Sequence, residues 1–173
     1  MIHIPYPQAE EYAPYYHTYI GLLEHLDISR RLQDQLSEIE GELSGLSEKT
    51  ELFRYDEGKW SVREVVGHII DTERIMAYRA LRIGRGDLSP LPGFDQDVYV
   101  TGANYDQIPL SRQLAMFRTL RQSSCDILEG MTSEDLKRIG TASGHPVSPR
   151  ALFAIIVGHF DHHMRIVRER YLR

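Results

Sequence analysis

The sequence has one cysteine in 173 residues, Cys125. That excludes an intrachain disulfide framework and any zinc site built from several thiolates. It has no basic excess either. Twenty Lys and Arg against 25 Asp and Glu give a net charge of −5, which removes the main electrostatic reason to expect binding to a phosphate backbone. No run approaches the roughly 20 apolar residues that span a bilayer; the longest, Ala151 to Val157, is a buried-helix signal. The opening Met1-Ile2-His3-Ile4-Pro5 has no basic stretch leading into an apolar one, so no signal peptide is expected and the expected address is cytoplasmic. Also missing are a Ser/His/Asp elbow, paired catalytic carboxylates and a glycine-rich phosphate loop. Gly84-Arg85-Gly86-Asp87 follows no strand and is read as a helix terminator.

What remains is globular: 42% hydrophobic and 26% charged residues, enough for one domain over 1–173 with a real core. After a Pro- and Tyr-rich opening of twenty-odd residues, four helical stretches are predicted. In the first, about Asp27 to Leu46, Ile28, Leu32, Leu36, Ile39, Leu43 and Leu46 step by three and four into one apolar stripe. The second starts at Ser61, with Glu64 three residues on as a capping box and Trp60 placed to staple onto Val65. It runs to Leu81 or Ile83 and stops at the glycines. The third covers about Ser111 to Leu128. The fourth opens with Ser148 as cap and Pro149 at its first position and runs to about Tyr171. Residues 87–109 read as a long ordered loop, 130–148 as irregular with a short turn at Ser133 to Leu136, and no strand pattern is visible. The fold class expected is all-α, a four-helix bundle with long crossover loops.

Eight histidines are present, three of them within five residues of the fourth helix. His159 and His163 are one turn apart, so both imidazoles share a face and can reach one ion. On a helical wheel His163 lies roughly 45° from the apolar centre, His159 roughly 85° and His162 roughly 145°. The pair 159/163 therefore borders the interior, and His162 points to solvent. A third ligand must come from another helix. His68 is the only histidine on the second, about 120° from its apolar centre, which reads as a flank or surface position.

The stretches "GKWSVREVVGHIIDTERIMAYRALRIGRGD", "LPGFDQDVYV" and "GHFDHHMRIVRERYL" together resemble the DinB/YfiT-like superfamily, in order and from Tyr12 onward. The resemblance implies a four-helix bundle, often dimeric, with a divalent metal ion, Zn or Ni, held by three histidines: here His68, His159 and His163, in a site at a bundle end or cleft. It also implies a metal-dependent hydrolase, or a transferase of low-molecular-weight thiols such as bacillithiol and mycothiol, acting on a small molecule. Three protein ligands leave a position open, which suits catalysis. The competing class is a non-catalytic, stress-linked binding or scaffold protein with a structural metal.

Asp71 has two readings: a catalytic one, fixing a ligand tautomer or acting as a base toward bound water, and a salt bridge to Arg74 at i+3. Glu73, Arg79 and Arg82 form a charged row, read as a solvated face with anion binding by the arginines as the alternative. Trp60, Tyr78, Phe94 and Cys125 read as packing residues, and His145 has no placement. Ile70, Leu81 and Val157 fall outside a single stripe, which predicts a surface to be covered by homodimerisation.

Overall fold

A computed structural model describes residues 2–172; Met1 and Arg173, the ends of the expected domain, lie outside the described residues. Four long helices form the bundle. They are α2 (Ile28–Leu43), α4 (Val62–Gly84), α6 (Leu110–Glu129) and α8 (Pro149–Arg170). Short helices decorate it: α1 (His17–Ile20), α3 (Glu48–Glu51), α5 (Gln96–Ala103) and α7 (Ser133–Lys137). A small antiparallel hairpin, β1 (Gly140–Ala142) and β2 (His145–Val147), precedes α8.

The helix starts follow from local chemistry. Ser61 Oγ accepts from the Glu64 amide at 3.1 Å, and the Glu64 carboxylate accepts from the Ser61 amide at 2.8 Å, closing the capping box of α4. Ser148 Oγ accepts from the Ala151 amide at 3.1 Å, with Pro149 at the first helical position of α8. Every residue of α8 from Ala151 to Phe160 is buried, as expected of a helix apolar on all sides. α8 contributes Ala151–Val157 to one apolar cluster and Phe160, Met164 and Val167 to a second. Gly158 and His159 stand at the change-over.

Several expectations are corrected. The 87–109 loop contains α5 and a 3-10 turn at Tyr105–Gln107. Asp95 caps α5 by accepting from the Asp97 and Val98 amides. Residues 140–147 form the hairpin, turned by Ser143 and Gly144 at φ of 53° and 80° and clamped by Leu91, whose amide donates to Thr141 O and whose carbonyl accepts from the Ser143 amide. Two members of the charged row, Glu73 and Arg79, are buried rather than solvated, while Arg82 stays at the surface. Glu73 is buried in a two-pronged ion pair with Arg121, and Arg79 is buried with its guanidinium donating to Pro92 O and Ser143 Oγ. Tyr78 is exposed, its hydroxyl accepting from Arg82. Of the three residues outside a single stripe, Ile70 and Val157 are fully buried within the chain and only Leu81 is half-buried. Among the described residues no helix is long and apolar enough to cross a membrane.

Candidate metal centre

α4 and α8 form the largest helix contact of the bundle, and the three histidines face each other across it. Ring centroids lie 4.7 Å apart for His68 and His159, 4.8 Å for His68 and His163, and 4.4 Å for His159 and His163. One nitrogen from each ring falls within 4.8 Å of the others. His68 Nε2 and His159 Nε2 are 2.9 Å apart, a contact in which one ring donates and the other accepts.

Close backbone packing makes this convergence possible. A glycine stands directly before each of the two most buried rings. A Cβ on Gly67 would lie 2.3 Å from carbons of the Tyr105 ring, and one on Gly158 would lie 2.3 Å from the Tyr19 carbonyl oxygen. Tyr19, brought in by α1, sets its ring edge-on to His159 at 5.2 Å and His162 at 5.3 Å. Trp60 lies 4.9 Å from His68 on the other flank. Behind α8, Gln35 donates to Val157 O and Asp161 Oδ1, and Arg31 pairs with the same carboxylate.

Burial decides the protonation state. His68 is 3% exposed and His159 4%. Desolvation, outweighing the attraction of Asp71, pushes His68 down to about 4. Burial first, then the neighbouring histidines, hold His159 and His163 well below the ordinary value. Three neutral imidazoles with converging nitrogens are a donor set that fits Zn(II), Ni(II) and related ions, which would take the place of the hydrogen now shared between His68 and His159. No fourth His, Cys, Asp or Glu joins the group among the described residues.

The trio borders two cavities. One of 360 Å³ is lined by His68 and His159 together with Tyr15, Tyr19, Thr72 and Phe94. The other, of 280 Å³, is lined by His163, Trp60 and Tyr171.

The other candidates are placed elsewhere. Asp71 pairs with Arg74 at 3.0 Å and accepts from Tyr105 Oη at 2.6 Å, and among the described residues it makes no hydrogen bond to a histidine. Arg82 is tied to Asp87. His145 lies exposed on β2. Cys125 is half-buried, and burial pushes its thiol up. His68 is buried where the wheel put it on a flank, because a wheel of α4 alone omits Trp60 and α8. His162 is half-buried rather than solvent-facing, because Tyr19 comes from outside the four helices. The sequence reading also missed Tyr19, Thr72, Tyr105 and the two glycines. The Gly-His dipeptides at 67–68 and 158–159 were the one visible signal for the glycines, diluted by a third at 144–145 on the hairpin.

A sequence profile described as the DinB superfamily matches residues 31–167. The chain belongs to the DinB superfamily. A relative from Oceanobacillus iheyensis, provisionally named a metal-dependent hydrolase, is 26% identical over 117 residues. That match covers 66% of this chain and 66% of the relative, just under two thirds of its length. Among solved structures, YfiT from Bacillus subtilis, described as a probable metal-dependent hydrolase with an unusual four-helix bundle topology, superposes with a TM-score of 0.66. The superposition covers 94% of this DinB chain and 91% of YfiT at 16% sequence identity, and at that identity it shows the fold.

Proposed function

We propose that the chain is a metal-dependent hydrolase of a small molecule, with His68, His159 and His163 holding one divalent ion, Zn or Ni. The observation that carries this reading is the convergence of three neutral imidazoles, His68 and His159 buried and His163 half-buried, with His68 and His159 lining a 360 Å³ cavity. The provisional hydrolase name of the 26% identical relative supports it. A structural zinc site closes with four protein ligands, whereas three leave a position for a reactant. That difference favours the enzyme over the scaffold reading. When bound, the ion supplies Lewis acidity and a nucleophile at neutral pH.

The chain's own residues hold and orient. Tyr19 and Trp60 fix the ring planes of His159 and His68, and Gly67 and Gly158 let their supports come close. The Asp71 carboxylate is spent on Tyr105 and Arg74, so its part is to position Tyr105 against Gly67 rather than to act as a base. Transfer of a low-molecular-weight thiol is the variant of this chemistry in which a thiol takes the place of water. A single 1–173 domain acting in the cytoplasm completes the proposal, with homodimerisation resting on the family resemblance alone, since Ile70 and Val157 are buried within the chain.

The test is elemental analysis of untagged protein. Wild type should carry about one ion per chain, His159→Ala and His163→Ala should lose most of it, and His162→Ala should keep it. Equal loss in all three variants overturns the ligand choice. Ester, amide and thiol-conjugation screens on the loaded protein then separate hydrolase from transferase.

A further inference from the structure

Among the described residues three arginines are buried, and two of them have a carboxylate: Arg121 pairs with Glu73, and Arg63 with Glu51. Arg79 on α4 is 3% exposed, and no carboxylate of the described residues pairs with it. A guanidinium carries five N–H groups. In Arg79 two of them, on Nη2, go to Pro92 O and Ser143 Oγ, and Nη1 has only the Met76 sulfur at 3.8 Å. Two N–H groups are thus left without an acceptor among the described residues. The Phe94 ring lies 5.8 Å from Cζ, at the outer edge of the useful cation–π range. A charge taken out of water without a counter-charge weakens the ligand-free protein. An anion brought by a ligand would supply the missing partner.

There is room for that ligand. Arg79 lines a side cavity of 190 Å³, smaller than the pockets of drug-sized molecules and suited to one ring with a small head group. Tyr78, Phe94 and Tyr99 give it aromatic walls, Ile75 and Leu91 add apolar ones, and Arg79 is the one charged side chain of its lining. The acids of the neighbouring segments are engaged elsewhere. Asp87 pairs with Arg82, Asp95 caps α5 and lines the cavity of the trio, and Asp97 lines the other cavity beside His163. The walls favour an aromatic or apolar body, and the buried cation favours an acidic head. A single guanidinium with two N–H groups left matches one negative charge, whereas a phosphate dianion would keep charge and oxygens unpaired. Phe94 also lines the cavity of the trio, so the two spaces share a wall. His68 and Arg79 stand about 16 Å apart along the axis of α4. A positive ion on the histidines would therefore add to the preference for an anion rather than oppose it.

We infer that Arg79 makes this side cavity an anion-binding site, one that takes a small carboxylate carried on an aromatic or apolar body. The site goes beyond the hydrolase reading and does not need the ion, because its counter-charge is the guanidinium.

Benzoate, benzamide and benzamidine share one planar shape and carry a negative, no and a positive charge. They are titrated by NMR at pH 7 into the full chain, as purified and after treatment with a chelator. Benzoate should bind both preparations. On the chelated chain benzamide should bind at least tenfold more weakly, the ratio expected for a charge-assisted hydrogen bond, and benzamidine more weakly still. Arg79→Gln should weaken benzoate tenfold or more. That change also removes the clamp on Pro92 O and Ser143 Oγ, so a second variant guards against a mere folding defect. Tyr99, 45% exposed and edge-on to Phe94 at 5.4 Å, makes no contact with the guanidinium's acceptors. Tyr99→Ala should weaken benzoate by about threefold or more through the lost aromatic wall. Overturning results on the chelated chain are no binding of benzoate, benzamide within tenfold of it, benzamidine equal to benzamide or tighter, or benzoate affinity unchanged in Tyr99→Ala or in folded Arg79→Gln. Benzoate binding that disappears with the chelator belongs to the ion on the histidines; it overturns the side-cavity site and leaves the hydrolase reading standing. A chain that carries no ion and still binds benzoate through Arg79 does the reverse.

Discussion

Gly158 and Gly67 show how much a single missing methyl group decides. At Gly158 the obstacle is backbone, the Tyr19 carbonyl, which cannot rotate away. Gly158→Ala should therefore cost about 1–3 kcal/mol through overpacking and should loosen α1 from α8. Gly41, on α2 with nothing within 4 Å of an added Cβ, is the opposite case. Gly41→Ala should gain roughly 0.5–1 kcal/mol from helix propensity alone. Urea denaturation of the two variants checks both signs at once, and destabilisation by both would mean that the close approach at Gly158 is not the cause. At this scale the sequence was legible only in part. The spacing of His159 and His163 followed from helical periodicity, since both lie on one element. The burial of His68 did not, because it depends on Trp60 and on which helix packs opposite. The same holds for Arg79, whose lack of a carboxylate partner has meaning only once its burial and the cavity beside it are known.

Among the elements, the long helices were legible because each carries a periodic stripe or a side-chain cap of its own. α5 was not, being eight residues long with its start set by Asp95 inside a stretch rich in Pro and Gly. The hairpin escaped for a different reason. Its strands are three residues each, and Leu91, some fifty residues away in sequence, clamps it. The helices also exchange charge inside the bundle. Arg121 on α6 grips Glu73 on α4 with both contacts at 2.9 Å and donates to Leu32 O and Gln35 Oε1 on α2; Ser124 Oγ donates to Glu73 as well. A buried pair contributes little net stability when intact, yet stranding one partner is expensive. Glu73→Ala should cost about 3–5 kcal/mol by urea denaturation, while the double change Glu73→Leu with Arg121→Met should cost much less. Equal losses would show that packing volume, not the stranded charge, dominates.

At the scale of the whole molecule, the N-terminal segment is fastened to the start of α8. Glu11 accepts from Ser148 Oγ at 2.5 Å and from Arg150 Nε at 2.7 Å, and the Ser148 amide donates to Glu11 O at 3.2 Å. Burial pushes the Glu11 carboxyl up, but the hydrogen bonds from Arg150 and Ser148 and the Arg150 charge overcome it and hold the group below its ordinary value. The unfolded chain binds this proton at about pH 4.3, the native chain only at lower pH. The stability Glu11 contributes is thus fully present at neutral pH and is lost as pH falls through the native value. Thermal melts should show Glu11→Gln below wild type at pH 7, with the gap closing below about pH 4. A gap that stays constant down to pH 3 would assign the effect to packing. That fastening has a wider consequence. Tyr15, Tyr16 and Tyr19, which wall one side of the cavity, lie upstream of the 31–167 stretch that the superfamily profile matches. The three histidines lie inside that stretch, whereas one wall of the cavity beside them lies outside it. Two relatives with identical histidines and an identical matched stretch would therefore still differ in the shape of this cavity wherever the segment carrying Tyr15, Tyr16 and Tyr19 differs.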